Sequence, residues 1–178
     1  TARYTLSDSS RLYFSSDYGI TWESKRSWNE VTPNDLSMSA NGSRITVVVA
    51  CGIIQSINYG NDWATLHQWL QPPPCYGLIG ASSDSKYQIV TTDSSAVTYN
   101  ANRIYTSANF GYDLTLREYT SYISDIAISA SGDHQVVSRY WDFDTRYGLL
   151  QSFDYGATWS YNESVPINYI KKVVINKN

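Results

Sequence analysis

Within the segment Trp141-Asp142-Phe143-Asp144-Thr145-Arg146-Tyr147, two carboxylates, a guanidinium and three aromatic rings fall inside seven positions. Aromatic faces stack on sugar rings or apolar side chains, and carboxylates beside an Arg fix hydroxyls or a complementary charge, so this run suits a ligand. Hydrolysis is a poorer fit. Glycoside cleavage needs one carboxyl protonated and its partner ionised, whereas Asp142 and Asp144, two apart on an extended strand, share one face. Calcium would take six to eight oxygens, and no calcium-loop pattern surrounds this pair. A solvated hairpin loop is the plainer reading, because loops of this composition are common without a partner.

The other chemically capable residues are sparser. His67 and His134 are isolated from any nucleophile or metal partner, which points to surface or satisfied polar roles. Cys51 and Cys75 are the only cysteines, too few for a zinc site, and either two free thiols or one disulfide fits them. No metal and no cofactor is expected. Asp17 stands in Ser-Ser-Asp-Tyr-Gly-Ile-Thr-Trp, and that stretch recurs: SSDYGITW at 15, SINYGNDW at 56, SANFGYDL at 107 and SFDYGATW at 152, at intervals of 41, 51 and 45 residues. Two copies carry Asn58 and Asn109 where the others carry Asp17 and Asp154. A general acid or base does not survive that exchange, but an amide oxygen still accepts the hydrogen bonds of a turn. The repeated position is therefore read as structural.

These turns need strands to hold them. NDLSMSANG at 34, GLIGASSD at 77 and DIAISASG at 125 repeat between the turns, each a short strand running into a Ser/Asn/Gly corner. A unit thus reads strand a, corner, strand b, loop, strand c, the Gly-centred turn, strand d. In the second unit these are LSMSA, RITVVVA, IIQSI and WATL. The b strand is apolar on both alternating faces, as expected between two neighbouring sheets. Four-stranded antiparallel units of about 40 to 45 residues are the signature of a β-propeller. The chain starts with ARYTLS and RLYFSS, a b and a c strand, and ends with KKVVINKN, an a strand. The expectation is an all-β fold, one propeller domain over 1–178, with four blades of which one is composite and closed by the two ends. A larger ring built from two chains is the alternative.

The four units resemble the Asp-box, or BNR, repeat of sialidases, sortilin-type receptors, some glucan hydrolases and a photosystem assembly factor. The resemblance places the box at the hairpin between strands c and d and makes Ser15, Asp17, Gly19, Trp22, Ser56, Asn58, Gly60, Trp63, Ser107, Asn109, Gly111, Ser152, Asp154, Gly156 and Trp159 its structural residues. Gly takes positive φ at little cost, and the Trp packs between blades. Leu114 replaces the Trp in the third box, and Asp62 and Asp113 replace the usual Thr in the second and third, so those two blades are expected to be less regular. Resembling propellers bind ligands on the opposite face, where the d-a and b-c loops emerge. The candidates there are Trp28, Trp69, Tyr99, Tyr119, Trp141, Asp142, Asp144, Arg146 and Tyr147, with His67 and Tyr76 on the same loops. Arg3 and Arg11 sit outside any Arg-Ile-Pro signature, and the chain is much shorter than a catalytic sialidase, so no enzyme activity is expected.

Composition bounds the partners. With 16 Tyr and 6 Trp among 178 residues the chain favours pleated, half-buried surfaces over helices. A net charge of -3 offers no basic footprint for nucleic acid, and no apolar run is long enough to cross a bilayer. A glycan or a protein partner, bound by a non-catalytic module that could also be a homo-oligomer or a subunit of a larger assembly, is the expectation. The missing initiator Met, the acceptor triplets Asn41-Gly-Ser and Asn162-Glu-Ser, and the resemblance to the Asp-box repeat together make an extracellular or exported location the expectation.

Overall fold

The computed structural model describes residues 10–28, 33–49, 52–68, 75–94, 102–120, 123–139, 148–165 and 170–176. No helix occurs among them. The first sheet pairs β1 (Ser10–Phe14) with β2 (Glu23–Trp28). The second orders β3 (Pro33–Met38), β4 (Ile45–Val49), β5 (Gly52–Ser56) and β6 (Ala64–Gln68) in sequence, all antiparallel. In the third, β7 (Cys75–Tyr76) and β8 (Ile79–Ala81) both pair with β9 (Gln88–Ser94), followed by β10 (Asn102–Ser107) and β11 (Thr115–Thr120). The fourth repeats the order with β12 (Ile123–Ile128), β13 (Gln135–Arg139), β14 (Leu149–Ser152) and β15 (Ser160–Asn162).

The stacking of these sheets follows from period-two alternation on strands buried on both faces. In β4, Ile45 and Val47 pack with Trp28 and Ile54, with Leu12 and Phe14 of the first sheet alongside. Val48, which points the other way, packs with Ile53, Ile79 and Val90 at the third sheet. In β9 the division recurs: Val90 turns back to the second sheet while Ile89 joins Ile104, Ile128, Val137 and Leu150 at the fourth. Each sheet is thus a slice between two neighbours, and the cores lie in the seams. The innermost strand β8 also touches both β3 and β12, the inner strands of the sheets on either side. This is a propeller arrangement.

The C-terminal segment 170–176 takes the place of the next inner strand. Asp35 Oδ2 of β3 accepts from Ile79 N of β8 at 2.9 Å, and Asp125 Oδ2 of β12 accepts from Val173 N at 2.9 Å. Asp35 and Asp125 stand at the same repeat position, so Val173 sits on the fourth blade as Ile79 sits on the second. The expected b strand of the composite blade falls in residues 1–9, outside the described residues. The Gly-centred turns and the a-b corners share one face: Tyr59, Phe110 and Tyr155 donate their backbone N–H to Ser43, Lys86 and Asp133, at 3.0, 2.9 and 3.1 Å.

One expectation is corrected here. The d strands run further than the pattern implied, to Trp28, Gln68 and Thr120, so residues assigned to the d-a loops lie in strands. The extension accompanies a β-bulge at one repeat position: the c-d register skips Lys25, Leu66 and Arg117 in the first three sheets. A bulge bends its strand and re-aims the extra side chain. Lys25 and Leu66 lie against the turn of the following blade, 3.1 Å and 3.4 Å from where a Cβ on Gly60 or Gly111 would stand.

Candidate functional site

The Gly-centred turns are closed structural corners. In each, the first Ser accepts the Gly N–H at 2.8 to 2.9 Å and donates to the Asp or Asn two residues on, at 2.8 to 3.0 Å. That Asp or Asn accepts the backbone N–H four residues on. Trp22, Trp63 and Trp159 donate Nε1–H to the Gly carbonyl at 2.8 to 3.1 Å. Bonding to Thr21 and Thr158 holds the Asp17 and Asp154 carboxyls down to about 2. These oxygens are occupied acceptors, poor bases for any reaction.

Of the second and third blades, both expected to be less regular, the third does carry a split inner edge, β7 and β8 both pairing with β9. The second keeps four strands in order, and both turns keep the shared hydrogen bonds. Where Asp17 and Asp154 accept from the Thr21 and Thr158 hydroxyls, Asn58 and Asn109 instead donate Nδ2–H to Asp62 and Asp113, at 2.7 and 2.6 Å. The donor and acceptor exchange places as a pair, and Leu114 fills the seam beside Val48 and Val90 in the Trp position. The signal was visible in the sequence as two matched pairs, Asp with Thr and Asn with Asp.

At the other end of the strands a pocket of about 380 Å³ opens between the inner strands. Pro33 and Asn34 begin β3, Thr91 and Thr92 lie on β9, Asn102 begins β10, Ile123 and Ser124 begin β12, and Gly77 and Leu78 form the remaining wall. Leu78 N donates to Thr91 Oγ1 and Thr91 N donates to the Leu78 carbonyl, both at 3.0 Å. The two backbones approach so closely that a Cβ on Gly77 would stand 2.0 Å from the Thr91 oxygen, which requires glycine there. Ser124 Oγ donates to the Ile170 carbonyl at 2.6 Å and shares a 2.9 Å bond with Ser138 Oγ. Asn34 Nδ2 is buried and has no hydrogen-bond partner among the described residues.

The inner strands also carry charge. Lys172 Nζ lies 3.0 Å from Asp125 Oδ1. Burial pushes the Asp35 carboxyl up, against the Ile79 and Leu36 amides that favour its ionised form, with Lys172 lowering it and Asp125 raising it. Sequence reading missed Asp35, Asp125 and Lys172, although the first two occupy matching places in NDLSMSANG and DIAISASG.

Of the sequence candidates, Trp28 is corrected: it is 7% exposed, its ring 6.4 Å from that of Trp63 with Arg26 5.5 Å from each, so it is a seam residue and no exposed platform. Tyr119 lies in β11 at the loop end of the third blade. Trp69, Tyr99, Trp141, Asp142, Asp144, Arg146 and Tyr147 lie outside the described residues. Both histidines have structural partners: His67 Nε2–H donates to the Gly111 carbonyl at 2.7 Å, and the His134 ring stacks on Phe153 at 4.4 Å. No group of three metal-ligating side chains occurs among the described residues.

No family model matches the sequence, and no curated protein matches it. Solved structures do. A GH74 xyloglucanase from Xanthomonas campestris is similar with a TM-score of 0.55 at 13% identity, over 72% of this chain and 21% of that one. A chain of a nidogen/laminin complex gives 0.58 at 10% identity, over 79% and 51%. YCF48 bound to D1 peptide gives 0.54 at 11% identity, over 75% and 44%. The chain therefore spans about half or less of the length of these structures. At such identities the likeness fixes the fold, a β-propeller.

Proposed function

We propose that the chain is a non-catalytic binding module of the Asp-box type, taking an extended segment of a protein partner across the pocket between its inner strands. The Asp-box assignment rests on the fourfold Ser, Asp/Asn and Gly hydrogen-bond pattern. The observation that carries the choice of partner is the pocket lining: amide and hydroxyl groups of Asn34, Thr91, Thr92, Asn102 and Ser124 beside close-packed backbone, with no aromatic ring and no carboxylate among the described lining residues. Amide and hydroxyl side chains, which can both donate and accept, suit a peptide main chain. Sugar recognition draws on aromatic platforms, and glycosidase chemistry on a carboxyl pair of split protonation. Asp35 and Asp125 each commit an oxygen to a backbone amide instead. The complexes of nidogen with laminin and of YCF48 with D1 peptide support a protein partner in general.

A glycan on the aromatic loops is the second reading, favoured by the likeness to a xyloglucanase and by the Trp141 to Tyr147 run. The two separate on arrays. Random-sequence peptides and a glycan library are probed with the intact chain and with Thr92→Trp, which fills the pocket. Peptide binding that falls at least tenfold in Thr92→Trp supports the proposal. Glycan binding alone, sensitive to Trp141→Ala, replaces it with the second reading, and release of fluorophore from a glycoside panel overturns the non-catalytic assignment.

A further inference from the structure

The seams between consecutive blades repeat, and among the described residues one side of the first blade has no seam. Two residues before each turn's Ser stand Tyr13, Ile54, Tyr105 and Leu150, all facing the preceding blade. Ile54 is 6% exposed and Leu150 1%, and Tyr105 is half-buried against the second sheet, but Tyr13 is 50% exposed. At the turn itself Trp63 and Trp159 are half-buried against the neighbouring core, whereas Trp22 is 62% exposed and Tyr18 fully so. A Cβ on Gly60, Gly111 or Gly156 would meet Lys25, Gln88 or Thr106 within 3.1 Å, while one on Gly19 would meet only its own Trp22 ring. Among the described residues, the first sheet's side chains reach forward to the second blade, where Lys25 Nζ donates to Asn61 Oδ1 at 3.0 Å.

What covers such a face is visible at the other seams. The residue before each turn's Ser reaches forward to the next turn: Gln55 Nε2 donates to the Phe110 carbonyl at 2.9 Å, and Thr106 Oγ1 to the Gly156 carbonyl at 3.5 Å. Its counterpart on the fourth blade is Gln151, whose Oε1 accepts from Asn162 within its own sheet at 3.2 Å. The segment 170–176, seated on β12 as β8 is seated on β3, marks where the next blade begins. We propose that a second copy of this chain supplies it, the exposed face of its first blade docking on the fourth blade of its partner, with Gln151 of the one reaching the Gly19 turn of the other. The contact is heterologous: different surfaces meet, and the ring closes when the two seams between two copies are both made. An apolar face of Tyr13, Tyr18, Ile20 and Trp22 is the kind of contiguous patch that marks such an interface.

The experiment is sedimentation equilibrium of the intact chain over a range of concentrations, with Tyr13→Glu and Trp22→Glu on one face and Gln151→Glu on the other. The proposal expects an average mass rising from 20.1 kDa towards twice that value, and each variant returning it to 20.1 kDa. An equimolar mixture of Trp22→Glu and Gln151→Glu regains one of the two seams, where the first blade of the Gln151→Glu copy meets the fourth blade of the Trp22→Glu copy. Its average mass therefore rises above that of either variant alone, although the ring stays open. Tyr13→Glu, on the strand and outside the turn, separates loss of the seam from damage to the turn, and circular dichroism checks the fold of each variant. A wild-type chain that stays at 20.1 kDa throughout, or an association that no variant weakens, overturns it.

Discussion

Replacing Gly19 and Gly156 by Ala applies one backbone perturbation to two environments. Both residues hold left-handed backbone, φ +87° and +82°, so both variants pay a similar conformational cost of about 1 kcal/mol for placing a Cβ there. The surroundings differ. At Gly156 the new Cβ stands 2.5 Å from Thr106 Cγ2 and 2.7 Å from Gln135 Oε1, and both side chains are buried and held by packing. Relief of such overlap in a packed seam costs about 1 to 3 kcal/mol more. At Gly19 the nearest atom is Trp22 Cζ2 at 3.7 Å, an ordinary contact on an exposed ring. Urea unfolding of both variants under dilute conditions, followed by far-UV circular dichroism, reads the difference as a shift in midpoint at constant slope. Gly156→Ala is expected to lose at least about 1 kcal/mol more than Gly19→Ala, on the overpacking scale. Equal losses would refute the reasoning that the turns are clamped by the blade before them and that the first turn lacks its clamp.

Three further outcomes follow from the same packing and bonding. Ile104→Ala, at a fully buried position between the third and fourth sheets, should cost about 2 to 5 kcal/mol in the same denaturation assay, and a loss below about 1 would place Ile104 outside the core. Asn58→Asp sets two carboxylates side by side and Asp62→Thr removes the acceptor of the Asn58 amide, so each should destabilise, while the double variant recreates the Asp-Thr pair and recovers the loss; additive losses in the cycle would show that the pair is uncoupled. Asp17 and Asp154 have folded pKa values of about 2, below the ordinary 3.8, so the unfolded chain binds more protons between those values. Their contribution is complete above about pH 4 to 5 and is lost as pH falls through about 2. The double variant Asp17→Asn/Asp154→Asn should flatten the stability profile between pH 2 and 5, and an unchanged slope would contradict that assignment.

The period was legible because each blade must rebuild the same corner, and a Ser-x-(Asp/Asn)-aromatic-Gly pattern leaves few other solutions for a tight c-d hairpin. The strand order and the double-faced burial of Ile45 to Val49 follow from that repeat and from alternation. Loop boundaries were harder to read, because bulges at Lys25, Leu66 and Arg117 carry the d strands past the point where alternation breaks; this is why Trp28 reads as a loop platform and packs in a seam. Asp35, Asp125 and Lys172 come close enough to act on one another from separate segments, a juxtaposition that no pattern along a single strand encodes. The polar pocket is assembled from the ends of four strands and the Gly77-Leu78 wall, each unremarkable in its own segment.

Backbone amide exchange at the four turn glycines tests the account most directly. Each N–H donates to a Ser hydroxyl, but Gly60, Gly111 and Gly156 are buried under a preceding blade and Gly19 is exposed. The account predicts that the three buried amides exchange only on the scale of global unfolding while Gly19 exchanges fast in the dilute chain. Comparable rates at all four glycines, or fast exchange at Gly60, Gly111 and Gly156, would contradict a propeller held together by these corners.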